Sequence, residues 1–199
     1  MKRREFIRAS GTVLLAAGAF AFGKELGEGI GGKSAAILYG TRYGATRDTA
    51  GWIAEGMGGA VKLYDIEKLS GAGELAGFRR LVVGSGIWID GPHKGLLELL
   101  EKHPELSRKV EATFVVCGTT PDSEAGRQRI TGYFRRLHAP LPVEPSFHRA
   151  FGGRMVIARL SEQDRKLLEN FYTRIIKRPF RDWDRTDPKG AKSFGKIII

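Results

Sequence analysis

Cysteine is nearly absent from the chain. Cys117 stands alone in 199 residues, which excludes an internal disulfide framework and any cysteine-rich metal centre. Histidine is scarce too, and His93, His103, His138 and His148 share no spacing that would gather them on one ion, so no metal site is expected. No acid–base pair and no nucleophile triad stands out. Catalytic residues therefore stay unassigned, which suits chemistry carried by a cofactor while the protein orients it. Acidic residues are outnumbered, 22 against 33 Lys and Arg, for a net charge of +11. That excess points to acidic partners or membrane surfaces, and nucleic acid is not an expected partner.

What remains is the composition of a folded protein: 42% hydrophobic residues and 27 glycines, in a length suited to one domain with short extensions. The chain opens MKRREFIRAS, with Arg3-Arg4 and then Phe6-Ile7 ahead of the apolar run Val13 to Phe22. The run is too short and too rich in Gly and Ala for a membrane span. A basic start, a short apolar run and the triplet Ala19-Phe20-Ala21 form a signal-peptide pattern, and the paired arginines resemble a twin-arginine export signal. Residues 1–21 are expected to be this signal, 22–34 a linker, 35–180 the domain and 181–199 a C-terminal tail. The first 21 residues hold Lys2, Arg3, Arg4 and Arg8 against Glu5, so the remainder keeps +8 of the +11.

Two phosphate-loop candidates follow almost back to back. GEGIGGKS (Gly27 to Ser34) matches G-x-x-x-x-G-K-[ST], but a working P-loop follows a strand and opens a helix. Here linker precedes it and the apolar run Ala35 to Tyr39 follows, so the context is inverted. TRYGAT (Thr41 to Thr46) has the right surroundings. A buried-strand run precedes it, and Ala50, Ile53, Ala54 and Met57 after it fall on one face of a helix. Unpaired N–H groups at such a helix start attract an anion, and the Thr41 and Thr46 hydroxyls can donate to one. The alternative is an ordinary turn with Thr46 as the helix N-cap.

Further strand-like runs lie at Val61–Tyr64, Arg80–Gly84, Ala112–Cys117 and Phe147–Phe151, interleaved with helical patterns. A last long helix is expected from Ser161, whose Ser161-x-x-Asp164 forms a capping box and whose apolar stripe is Leu167, Leu168, Phe171, Tyr172, Ile175 and Ile176. This alternation predicts an α/β fold with a doubly wound parallel sheet, binding its ligand at the strand C-terminal ends. Trp88, between Ile87 and Ile89 in the glycine-rich loop Ser85 to Gly91, could stack on a flat ring or fill the core. Arg127, Arg129, Arg135 and Arg136 lie near the third loop, where their charge would favour an anionic ligand state or simply be solvated.

ILYGTRYGATRDTA, LVVGSGIWIDGPHKGLLELL and FVVCGTT together resemble a flavodoxin-like domain, nearest to the menaquinone-dependent protoporphyrinogen oxidase branch. FGGRM and LLENFYTRIIKRPFRDWD resemble that branch as well. The resemblance implies a five-stranded sheet in the order 2-1-3-4-5 with helices on both faces, and bound FMN. Its phosphate would lie on Thr41, Arg42, Tyr43, Gly44, Ala45 and Thr46. Its ring would lie between Ser85, Gly86, Ile87, Trp88 and Ile89 on one side and Gly118, Thr119 and Thr120 on the other. The implied activity is electron transfer or an oxidoreductase reaction, with a redox protein or quinone as partner. With the signal, the expected location is periplasmic or on the outer side of the cytoplasmic membrane, reached through the twin-arginine export machinery, with peripheral membrane contact through basic surface. The other function class is a flavin-free binding or scaffold module on the same fold. The tail from Arg185 lacks the regular amphipathic ending that the branch would have.

Overall fold

The computed structural model describes residues 33–58, 60–89 and 91–198; the expected signal and most of the linker lie outside them. Five strands, β1 (Lys33–Gly40), β2 (Val61–Asp65), β3 (Phe78–Gly86), β4 (Val110–Cys117) and β5 (Phe147–Gly152), pair in parallel in the order β2-β1-β3-β4-β5. Lys33 and Ser34 of the P-loop-like octapeptide already belong to β1, so that segment feeds a strand and not a helix.

Period-two alternation builds the layers. Ala35, Ile37 and Tyr39 join Val82, Phe114, Val116 and Phe151 on one face, under α1 (Ala45–Met57), which contributes Ala50, Ile53 and Met57. Ala36, Leu38, Leu81, Val83 and Val115 point the other way. They meet Leu75 of α2 (Gly73–Ala76), Leu96 and Leu100 of α3 (Lys94–Lys102), Leu106 of α4 (Pro104–Ser107) and Phe134 and Leu137 of α5 (Glu124–His138). The fold is the doubly wound α/β sheet with helices on both faces.

The C-terminal segment corrects two expectations. Residues 181–199 are not a plain tail: Pro188–Ile197 is a helix that packs beside α1 and completes its layer. It is the last of the described helices, α7, once α6 (Glu162–Asn170) is counted. Asp187 caps it by accepting from the Gly190 N–H at 2.8 Å, and Pro188 occupies its first turn. Ala191, Phe194 and Ile198 are buried against Ile53 and Met57. Contact is backbone to backbone: a Cβ on Gly195 would stand 2.2 Å from the Ile53 carbonyl oxygen, and one on Gly56 2.0 Å from that of Lys192.

The expected long helix from Ser161 ends early. α6 stops at Asn170 and passes into a π turn, Phe171–Ile175. Of its expected stripe only Leu168 is buried, and Ile175 is 67% exposed. The reason is placement. The chain leaves β5 through β6 (Arg154–Met155) and returns through β7 (Trp183–Asp184), antiparallel to β6. The segment between packs on the loop at the end of β1 and not on the sheet.

Gly195→Ala should lower stability by about 1–3 kcal/mol, because rigid backbone leaves the added methyl nowhere to go. Gly132→Ala, in α5 with open space around it, should raise stability by about 0.5–1 kcal/mol. Urea unfolding of the two variants checks both signs.

Candidate functional site

In doubly wound sheets the ligand crevice opens where successive crossovers leave in opposite directions. Here that point lies between β1 and β3, where Gly40, the last residue of β1, is the register partner of Ser85, the penultimate residue of β3. Thr41 to Gly44 turn the chain from β1 into α1. Gly44 has φ 88°, a left-handed conformation that glycine adopts without a Cβ clash. It, and not Thr46, holds the N-cap position, and its N–H donates to Thr41 Oγ1 at 3.1 Å. No side chain caps α1, so its first-turn N–H groups and positive dipole end are left for an anion. Thr46 is 2% exposed, yet its hydroxyl has no hydrogen-bond partner among the described residues. A Cβ on Gly86 would come within 2.7 Å of that hydroxyl, so the β3 loop closes directly on the first turn of α1.

The two large side chains of the loop are engaged elsewhere. Arg42 donates from Nε and Nη2 to the two carboxylate oxygens of Asp164, at 2.7 and 2.6 Å. Its guanidinium carbon lies 4.5 Å from the centre of the Trp88 ring. The Tyr43 hydroxyl donates to Asp164 and accepts from the Ser161 N–H at 3.1 Å. Ser161 Oγ accepts from the Asp164 N–H at 3.2 Å. In an ordinary capping box the third helical side chain returns a bond to the N-cap N–H. Here Tyr43 carries that return bond, so the β1 loop forms part of the start of α6.

The remaining expected residues divide. Ser85 is fully buried, and its hydroxyl accepts from the His93 N–H at 2.9 Å, holding the loop shut. The Ile87 N–H donates to the Val116 carbonyl, and its side chain joins the α3–α5 core. Trp88 is half-buried and bridges to Gly91, while Ile89 is exposed. Gly118, Thr119 and Thr120 follow β4, the neighbour of β3. Thr119 Oγ1 pairs with the Tyr133 hydroxyl at 3.1 Å. Residues 41–46 and 85–89 are thus brought together, and 118–120 lie one strand away.

Cys117 is buried, and burial raises its thiol pKa above the ordinary value, as suits an inert side chain. Among the described residues no group of His, Cys, Asp and Glu could hold a metal, and no helix is long and apolar enough to cross a membrane. A cavity of about 380 Å³ bordered by Phe134, His138 and His148 lies by the start of β5, at the opposite end of the sheet.

Of the arginines expected near the third loop, Arg127 lies there and donates to the Pro121 carbonyl at 3.0 Å. Arg127 pairs with Glu124, Arg136 lies against Gly91, and Arg135 borders the cavity at His138. Sequence reasoning missed Trp183 and Arg185, which cover Gly118. It placed Asp164 in a capping box without its second role as the partner of Arg42 and Tyr43.

The family described as Flavodoxin domain matches residues 36–179, and the chain belongs to it. No curated protein matches the chain in sequence. Among solved structures the flavodiiron protein from Giardia intestinalis is 12% identical, with 84% of this chain and 36% of that one covered and a TM-score of 0.49. This chain thus spans about a third of that protein's length. The flavodoxin WrbA-like protein from Agrobacterium tumefaciens is 15% identical, covering 83% of this chain and 94% of that one, with a TM-score of 0.47. The Megasphaera elsdenii flavodoxin is 13% identical, covering 82% and 97%, with a TM-score of 0.48.

Burial alone would push the Asp164 carboxyl up, but hydrogen bonds from Arg42 and Tyr43 more than offset it and hold the group below its ordinary value. A depressed folded-state pKa stabilises fully above the unfolded value of about 3.9 and is lost as pH falls through the lower one. Asp164→Asn should therefore cost about 2 kcal/mol at pH 7 and less at pH 3. Denaturant unfolding at the two pH values reads the difference.

Proposed function

We propose that this chain is an exported FMN-binding protein of flavodoxin type that transfers electrons or oxidises a small substrate, with a redox protein or quinone as its partner. One observation carries the reading: an uncapped α1 N-terminus at the β1–β3 switch point, flanked by Thr41 and by the unpartnered hydroxyl of Thr46, a residue only 2% exposed. This cradle suits a phosphate monoester bound by N–H groups and hydroxyls, without a lysine. Thr41, Gly44, Ala45 and Thr46 would hold the phosphate. Arg42 would not, because Asp164 holds its Nε and Nη2 in a two-bond pair. Bound FMN would supply the electron-accepting ring. The protein would supply Trp88 as a flat contact and backbone groups of Gly86 and Gly118 at the ring edge.

Membership of the flavodoxin domain family supports the assignment. The resemblance to the menaquinone-dependent protoporphyrinogen oxidase branch supports quinone as the acceptor. Ile175, 67% exposed among the exposed Arg174, Lys177 and Arg178, supports peripheral contact with an anionic membrane surface. A second reading, a flavin-free module, draws on one specific observation: Arg42 already engages a face of Trp88.

The purified protein should be yellow and release FMN on denaturation. A colourless protein that cannot be reconstituted would favour the flavin-free module. Thr46→Ala should weaken FMN binding about tenfold by removing one hydrogen bond to a charged group, and Lys33→Ala should leave it unchanged. Fluorescence titration of the apoprotein measures both. Export rests on the paired arginines: replacing Arg3 and Arg4 together with lysine should retain the protein in the cytoplasm, as cell fractionation would show.

A further inference from the structure

The loop after β4, Gly118 to Ser123, contains no aromatic side chain and no cation, its one charged residue being Asp122. The segment beyond β5 delivers both to it. The Trp183 ring lies on Gly118 so closely that a Cβ there would stand 3.2 Å from it. Trp183 Nε1 donates to the Tyr172 hydroxyl at 2.8 Å, which fixes the ring's orientation. The Arg185 guanidinium carbon sits 4.9 Å from the centre of that ring, and Nη1 donates to the Gly118 carbonyl at 3.0 Å. Two main-chain bonds lock the arrangement: Arg185 N–H to the Gly153 carbonyl at 2.9 Å, and Gly153 N–H to the Cys117 carbonyl at 3.0 Å.

The charges nearby are not equivalent. Arg42 is paired with Asp164, Arg154 with Asp48, and Arg127 with Glu124. Arg185 has no carboxylate partner among the described residues. An unpaired guanidinium held by a backbone carbonyl is a fixed positive charge, and its effect on a neighbouring group is not cancelled at close range.

We propose that this segment completes the ring end of the site, with Trp183 as a second flat wall and Arg185 as a fixed charge that favours the reduced cofactor. The inference rests on FMN binding as set out above. Two electrons from a reductant such as dithionite and one proton from water would convert a neutral bound flavin to an anion (FMN + 2e⁻ + H⁺ → FMNH⁻). A nearby cation therefore stabilises the product of reduction more than the reactant, and protein charges near the ring tune the potential in this way. Trp183 contributes contact area to both redox states alike.

The test is titration of the apoprotein with FMN, oxidised in air and reduced by dithionite under anaerobic conditions. Arg185→Gln should weaken binding of reduced FMN about tenfold and of oxidised FMN less than twofold. By the thermodynamic cycle this lowers the two-electron midpoint potential by about 30 mV, the constant for a tenfold change in such a couple. Trp183→Leu should weaken both forms about equally, by about tenfold, and Trp183→Phe should restore most of the loss. Thermal melts followed by circular dichroism confirm that each variant is folded, and the phenylalanine variant keeps the test valid should the leucine one unfold. Arg185→Gln with equal effects on both forms, or none, overturns the charge assignment. Unchanged binding by both Trp183 variants overturns the wall. A wild-type protein that binds no FMN in either state overturns the cofactor reading and this inference together, whereas normal wild-type binding with unaffected variants overturns this inference alone.

Discussion

The ligand end of this fold is organised around a buried negative charge. Asp164 is 3% exposed, and an ionised carboxylate at that depth is tolerated only when donors surround it. Its donors come from more than a hundred residues away in the sequence: Nε and Nη2 of Arg42 and the hydroxyl of Tyr43. That requirement shapes the β1 loop. With Arg42 and Tyr43 drawn to Asp164, what the loop presents to a ligand is backbone N–H, the Thr41 hydroxyl and the unpartnered Thr46 hydroxyl. The same requirement holds α6 beyond the strand ends and off the sheet, and so gives the chain its route from β5 to α7.

That route accounts for what was legible in the sequence. The three central strands were readable as short apolar runs buried on both faces, the edge strand β2 by its alternation, and the helices between them keep helical spacing. α7 was not readable for the reason that it packs so closely. Gly190 and Gly195 resemble breakers, and Lys189, Lys192 and Lys196 dilute the apolar signal. Gly195 is there because α1 approaches within van der Waals contact of its backbone. Only Asp187-Pro188, an N-cap followed by a first-turn proline, announced the helix. α6 misled in the opposite sense. Its Leu167, Phe171 and Ile175 have helical spacing, but a helix on a loop cluster has no apolar layer to cover them.

The site was legible where it depends on local chain chemistry and opaque where it depends on distant partners. Thr41 to Thr46 reads as an anion loop because strand, glycine and helix adjoin in sequence. Nothing in Arg42 or Tyr43 themselves signals a carboxylate more than a hundred residues away. Ser161-x-x-Asp164 was correctly read as a helix start, yet its side-chain return bond is routed through Tyr43. Nor does the sequence show that the fully buried Ser85 hydroxyl accepts from the His93 amide and so holds its own loop.

Net charge proves to be a poor guide to the electrostatics of the site. The chain carries +11, but a cation's influence depends on whether it is paired and how far water intervenes. Arg42 and Arg154 stand at the ligand end and are each matched by an aspartate. The α5 arginines that looked suggestive in sequence are paired with Glu124, laid on Gly91 or turned toward the far end of the sheet. What distinguishes Arg185 is its partner, a carbonyl rather than a carboxylate, which fixes the guanidinium in place without cancelling its charge. A fold that pairs Arg42 and Arg154 with aspartates and seats Arg185 on a carbonyl concentrates the effect of a diffuse basic excess at a single strand end, beside a loop that has no cation of its own.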